Sequence, residues 1–410
     1  DKIVTRTLKT RLKYAFSDDQ ETYGHEEIEK ESHVSLARVA AEKSMVLIKN
    51  DKVLPLTAET GQKVWVRGRL AKMENTGDIA SSNSTSLNIT TPYEGISTLN
   101  ETLQNVVELY DGPDTNIAAE KAKEADQVIL VVGYTFEDEG EYININGDME
   151  GSAKAGKLVG KKGIGGDRES LKLLSEDEAL IQEVSAVNED VVVVYVGGSA
   201  INMNAWEPNV ASILFAWYGG MEGGTALANV LYGTVNPSGK LPFSIARNDS
   251  DYPYFNPYTL TIDYGYYHGY TLFEKENIEV AYPFGYGLSY TTYAYSDLQI
   301  MESELNKDGI LRAKVNVTNT GEVAGEEIVQ LYVGFKNSSI DRPVKLLRGF
   351  DKIGLKPGET KTVALEVNIE DLAWYDPEAK QWKIEEMEYE LYVGGSSAEK
   401  DLVVDSFLVN

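Results

Sequence analysis

The hydrophobic pattern of this chain has two distinct rhythms. From about residue 33 a helical spacing, with Val34, Ala37, Ala41 and Ser44 three and four positions apart, runs straight into the aliphatic stretch "MVLIKN". Further apolar runs follow: "KVWVRG" at 63–68, "DQVILVVG" at 126–133, "DVVVVYVGG" at 190–198 and "SILFAWYGG" at 212–220. Several of them have no polar alternation, which is the signature of strands covered on both faces in a parallel sheet. Helical segments are predicted between them at 116–124 and 175–187, the second opened by Ser175 and Glu178 at capping-box spacing. Residues 33–245 therefore read as an α/β domain, a mostly parallel sheet sandwich with helices on both faces.

After residue 290 the period shortens to two. "LRAKVNVTNTG", "EEIVQLYVGF", "KTVALEVNI" and "EYELYVGG" alternate apolar and polar positions, and "NTGEVAG" and "LKPGET" supply turns between them. This predicts an all-β sandwich of immunoglobulin or fibronectin type III kind over residues 291–410. Between the two lies a linker rich in Tyr, Pro and Gly, residues 246–290, expected to wrap over domain surfaces. Ahead of both, Arg6, Leu8, Arg11, Leu12 and Phe16 fit a helix, so residues 1–32 read as a terminal helix and a connection.

A length of 410 residues fits two or three such domains. The 38 Lys and Arg face 65 Asp and Glu, a formal charge of −27 that repels phosphate backbones and anionic bilayers. Neither nucleic acid nor a membrane is expected as a partner, and a neutral or cationic ligand is favoured. Zero cysteines exclude disulfides, thiolate metal sites and a Cys nucleophile. With only His25, His33 and His268, no histidine-rich metal site and no cofactor are expected. No window approaches the roughly 18 continuous apolar residues that span a bilayer.

One stretch carries candidate chemistry. In "VVGYTFEDEGEY", residues 131–142, an apolar run stops at Gly133, and Glu137, Asp138, Glu139 and Glu141 follow. Ligands of open parallel sheets bind beyond the carboxyl ends of the strands. Crowded carboxylates disfavour full ionisation, which suits one of them to proton donation. A solvated acidic loop fits the same pattern, and so do calcium ligands, although E-D-E-G-E lacks the alternation of an EF-hand loop. Elsewhere "GKLVGKKGIGG" at 156–166 misses the phosphate-loop spacing and reads as a flap. Neither Ser199 nor Ser238 sits in a nucleophile elbow.

Five stretches, in order, resemble glycoside hydrolase family 3, the β-glucosidase and β-xylosidase family. They are "AAEKSMVLIKNDKVLPL" (40–56), "ADQVILVVG" (125–133), "GGMEGGTALANVLYGTVNPSGKLPFSI" (219–245), "YPFGYGLSYTTY" (282–293) and "GEEIVQLYV" with "RPVKLLRGFDKIGLKPGET" (325–360). The resemblance implies a retaining, exo-acting β-glycosidase acting on a small oligosaccharide or β-glucoside. An Asp nucleophile on a TIM-like barrel would form a glycosyl-enzyme, and a Glu from the α/β sandwich would be the general acid/base, with the carboxyls roughly 5 to 5.5 Å apart. Aligned on Gly133, that Glu is Glu139, with Glu137 and Glu141 as fallbacks. Asp167 and Arg168 are then expected to line the cleft or to form an internal pair that fixes the loop.

The family's S-D-W or S-D-Y nucleophile motif does not occur; Ser17, Asp18 and Asp19 are followed by Gln20. The barrel's sugar-gripping Lys-His pair is missing too, and residues 1–24 resemble the last barrel helix. The chain is therefore expected to be the C-terminal portion of such an enzyme, inactive alone, with a TIM-like barrel domain or chain as partner and a homo-oligomer as a further option. The alternative is a non-catalytic carbohydrate-binding or assembly module using Tyr252, Tyr254, Tyr258, Tyr264, Tyr266, Tyr267 and Tyr270 as stacking surfaces.

Overall fold

The computed structural model describes residues 2–16, 24, 27–76, 85–110, 115–139, 168, 170–255 and 261–410. Helix α1 (Lys2–Ala15) buries no side chain, and Ile3, Leu8 and Leu12 are exposed. The α/β domain then runs α2 (Glu31–Ser44), β1 (Val46–Asn50), β2 (Lys63–Arg67), α3 (Pro92–Thr102), β3 (Val106–Leu109), α4 (Thr115–Glu124) and β4 (Gln127–Gly133). It continues with α5 (Phe136–Glu139), α6 (Ser175–Ser185), β5 (Val191–Val196), β6 (Ser212–Phe215) and α7 (Gly223–Leu231). The six strands are ordered β1-β6-β5-β4-β2-β3, all neighbours parallel except β1, which pairs antiparallel with β6.

Every residue of β4 and β5 is buried, which is why their sequences show no alternation. The two faces still divide the side chains. Val128, Leu130 and Val193 join Ala118, Ala122, Ile181 and Val184 of α4 and α6 in one core. Ile129, Val131, Val192 and Val194 join Ala41, Ile96, Leu227 and Leu231 of α2, α3 and α7 in the other. Helices α3 and α7 approach backbone to backbone: a Cβ on Gly95 would lie 2.0 Å from the Gly224 carbonyl oxygen. Helix α3 carries a complete capping box from Thr91 and Glu94. Helix α6 does not carry the one expected at Ser175. It begins at Ser175, as expected, but Leu174 takes the cap position with no side-chain hydrogen bond, so Ser175 already lies in the first turn and its hydroxyl donates to Glu176.

The chain next forms a small ribbon, β7 (Ile245–Ala246) with β8 (Val280–Tyr282), with α8 (Tyr270–Lys275) between them. Tyr252 is tied in, donating to the Ser244 carbonyl at 3.1 Å, and Tyr270 stacks on Phe284 at 4.8 Å. Tyr254, Tyr264 and Tyr266 are exposed. The last unit is the expected sandwich. Strands Gly325–Gly334, Lys345–Leu355, Glu388–Gly394 and Leu402–Val409 lead one sheet, and Tyr293–Ile300, Ile310–Asn319 and Thr360–Asn368 form the other. Their alternate positions, such as Leu311, Ala313, Val315 and Val317, fill its core. Lys240 and Glu327 join the two units through an ion pair of 3.1 Å.

Candidate active site

The acidic segment leaves the sheet through a turn only glycine can make. Gly133 ends β4 with φ +133°, and a Cβ there would sit 1.9 Å from the carbonyl oxygen of Val196 on β5. Beyond it α5 is a single turn, its first carbonyl, that of Thr135, accepting from the amides of Asp138 and Glu139 at 3.0 Å each. The Asp138 carboxylate reaches back to the Thr135 amide and hydroxyl at 3.0 and 3.2 Å. Its outer contact is Arg69, whose guanidinium donates at 3.0 Å and also to the Gly133 carbonyl at 2.7 Å.

Glu139 is held differently. Its Oε1 lies 3.2 Å from Nε of Arg168 and accepts from the Ser199 hydroxyl at 3.4 Å. Its Oε2 accepts a short hydrogen bond from the Tyr218 hydroxyl. Arg168 also donates to the Ser199 hydroxyl and to the Ala200 carbonyl, and its guanidinium lies 4.1 Å from the ring centroid of Tyr134. The Glu139 side chain is 18 % exposed and that of Arg168 12 %, so the pair is partly buried. Glu139, Ser199 and Tyr218 follow the carboxyl ends of β4, β5 and β6, three adjacent strands, at the rim where a parallel sheet binds ligands.

Burial, reinforced by the Glu139 charge, pushes the Tyr218 phenol well above its ordinary range, so it acts as a donor. Burial does the same to Tyr195, whose hydroxyl donates to the Ser199 carbonyl at 3.1 Å and steadies that turn. Next to Tyr218, Trp217 adopts a left-handed φ of 57° while its indole donates to the Ser44 carbonyl at 2.8 Å. Strained backbone of this kind needs firm support from its surroundings.

The crowding of carboxylates expected from the sequence is relieved among the described residues, because Asp138 faces Arg69 and Glu139 faces Arg168. Burial raises the carboxyl of Asp177 on α6, pushing it up to about 6. Its side chain accepts from the Gly133 amide at 3.3 Å, directly beneath the acidic turn. Of the residues singled out from the sequence, Glu139 and Arg168 come together. Asp167 and Glu141 lie outside the described residues, as does the side chain of Glu137. Sequence reasoning missed Tyr218, Ser199 and Tyr134. The usable signal was positional: "GS" after β5 and "WYGG" after β6 end strands that neighbour β4. No group of three His, Asp or Glu suited to a metal occurs among the described residues.

Comparison with known proteins agrees with this architecture. Residues 45–290 match the glycosyl hydrolase family 3 C-terminal domain, and residues 327–397 match a fibronectin type III-like domain. The chain is 34 % identical over 427 residues to thermostable beta-glucosidase B of Acetivibrio thermocellus, covering 100 % of this chain and 53 % of that protein. It is 31 % identical over 430 residues to a beta-xylosidase of Formosa agariphila, covering 100 % of this chain and 55 % of that one. Among solved structures, a beta-D-glucoside glucohydrolase from Trichoderma reesei superposes with a TM-score of 0.82 at 26 % identity, over 97 % of this chain and 59 % of its own. The chain thus spans about half the length of these curated relatives. With its α/β sheet, its sandwich and its ordered sequence matches all in agreement, the chain belongs to glycoside hydrolase family 3.

Proposed function

We propose that this chain is the acid/base-bearing portion of a retaining β-glycosidase, of β-glucosidase type, whose Asp nucleophile comes from a TIM-like barrel. Glu139 is the residue for the role. It would hand a proton to the departing glycosidic oxygen and then take one from the water that hydrolyses the glycosyl-enzyme. The observation that carries this reading is its placement: a partly exposed carboxyl on the carboxyl rim of the sheet, just past the β4 turn. Arg168 and Ser199 hold Oε1, leaving Oε2 as the proton-carrying atom, with Tyr218 in the place a sugar oxygen would take.

The engagement of both Glu139 oxygens favours one other reading. Glu139 would then anchor the rim to Arg168 and Tyr218, and the proton would come from Glu137 or Glu141. The test joins this chain to a family barrel and follows cellobiose and aryl β-glucoside hydrolysis in Glu137→Gln, Glu139→Gln and Glu141→Gln. Loss of the true acid/base lowers kcat/KM for cellobiose by about 10²- to 10⁴-fold but spares kcat/KM for aryl β-glucosides with good leaving groups, whose kcat falls because the glycosyl-enzyme loses the base for its hydrolysis. That pattern in Glu139→Gln upholds the first reading. The same pattern in either neighbour, with Glu139→Gln altering only the melting temperature, replaces it with the second.

A further inference from the structure

The last two residues of α5 face different neighbours. Glu139 meets Ser199 and Tyr218, beyond the ends of β5 and β6, whereas Asp138 meets Arg69, just past β2. The Asp138 side chain is 11 % exposed, and its Oδ2 accepts three hydrogen bonds, from the Thr135 amide, the Thr135 hydroxyl and Arg69. Thr135, at the opening of the turn, is buried. Arg69 is brought here by Gly68, whose left-handed φ of +119° lets β2 finish against β4: a Cβ on Gly68 would lie 2.0 Å from the Val131 carbonyl oxygen. The guanidinium nitrogen that reaches Asp138 also holds the Gly133 carbonyl, and Asn75 donates to the Tyr134 carbonyl at 2.9 Å. One stretch, residues 68–75, therefore grips the acid-bearing turn at Gly133, Tyr134 and Asp138.

Adjacent residues of a helical turn point about 100° apart, so the direction fixed for Asp138 also fixes that of Glu139. A side chain reaches roughly 5 to 6 Å from its helix axis, and a turn rotated by about 10° carries its carboxyl about 1 Å away. A misplacement of that size can lower a rate by about 10²-fold.

We propose that Asp138, held by Arg69, is the positioning residue of the general acid/base, setting the rotation of α5 that aims Glu139 at the departing oxygen. This rests on the assignment of Glu139 proposed above. Because Asp138 acts through Glu139, its loss is felt where the leaving oxygen needs a proton.

The experiment uses the chain joined to a family barrel. It compares kcat/KM for cellobiose, whose leaving oxygen needs protonation, with kcat/KM for a dinitrophenyl β-glucoside, whose leaving oxygen does not, in Glu139→Gln, Asp138→Ala, Asp138→Asn and Arg69→Leu. Asp138→Ala should lower the cellobiose value by about 10- to 10²-fold and leave the dinitrophenyl value within about twofold. Asp138→Asn keeps an acceptor for the Thr135 amide and should lose less. Arg69→Leu should repeat the Asp138→Ala pattern, and it decides the matter if Asp138→Ala does not fold. Equal losses on both substrates, or a lower melting temperature with both values kept, overturn the proposal and reduce the clamp to a structural tie. If Glu139→Gln itself shows no preference between the substrates, the acid/base assignment falls and this proposal with it. If Glu139→Gln shows the preference and the clamp variants do not, only the positioning role falls.

Discussion

Replacing Asp177 by asparagine should flatten the pH dependence of stability of the α/β domain. Asp177 is 2 % exposed, the third residue of α6, and its carboxylate accepts from the Gly133 amide. Burial raises its pKa to about 6, against the opposing pull of Arg69 and the Gly133 amide, with the charges of Glu176 and Asp138 pushing further upward. The unperturbed value is 3.8. The difference, 6 minus 3.8, is about 2 units, or about 3 kcal/mol at 1.36 kcal/mol per unit. Since the folded pKa lies above the unfolded one, the folded state takes up the proton first. The resulting stabilisation is complete below about pH 4 and is lost as pH rises through about 6. Above that the fold carries a buried charge.

Asparagine keeps an acceptor for the Gly133 amide and cannot ionise. Relative to wild type, Asp177→Asn should therefore gain about 3 kcal/mol between about pH 4 and pH 8. For a domain of this size that is a relative rise of roughly 6 to 12 °C in melting temperature. Scanning calorimetry of both proteins across this range, read as the difference at each pH, removes the contribution of every other titrating group. A difference that stays constant with pH would refute the argument, because it would mean that Asp177 has the same proton affinity in the folded and unfolded chain.

Gly133→Ala places a Cβ 1.9 Å from a main-chain oxygen of the central strand β5, so a loss of about 3 kcal/mol or more is expected in urea melts followed by the buried Trp65 and Trp206. A loss under 0.5 kcal/mol would show that the turn is not fixed as described. Thr91→Ala removes the hydroxyl that caps α3 and should cost about 1 kcal/mol in the same assay. At the domain seam, Lys240→Met leaves Glu327 charged and 5 % exposed, with the Tyr295 hydroxyl as its remaining side-chain hydrogen bond. Calorimetry should register a loss of about 3 to 5 kcal/mol, largely recovered in Lys240→Met/Glu327→Gln, where the buried charge is gone. Equal stability of single and double variants would contradict that account.

The parts of this molecule that could be read from its sequence are those governed by period. Strands β4 and β5 declare burial on both faces by lacking polar positions, and Ile310–Asn319 declares a half-buried sheet by alternating them. What could not be read depends on groups brought together by topology. The start of α6 was legible but its cap was not, because Leu174 takes the cap position and Ser175 falls inside the first turn. The surroundings of Glu139 were illegible for a deeper reason. Arg168, Ser199 and Tyr218 stand 29, 60 and 79 positions along the chain, and only the order β4-β5-β6 makes them neighbours. Four carboxylates in a row look like mutual repulsion when counted along the chain. Folding gives Asp138 and Glu139 separate arginines, one from just past β2 and one from the segment before α6, while burial raises the pKa of Asp177, which lies between Glu176 and Glu178 on α6. Charge at this rim is therefore set by which strand ends adjoin, and a substitution that alters the β4 turn at Gly133 should disturb Asp138, Glu139 and Asp177 together.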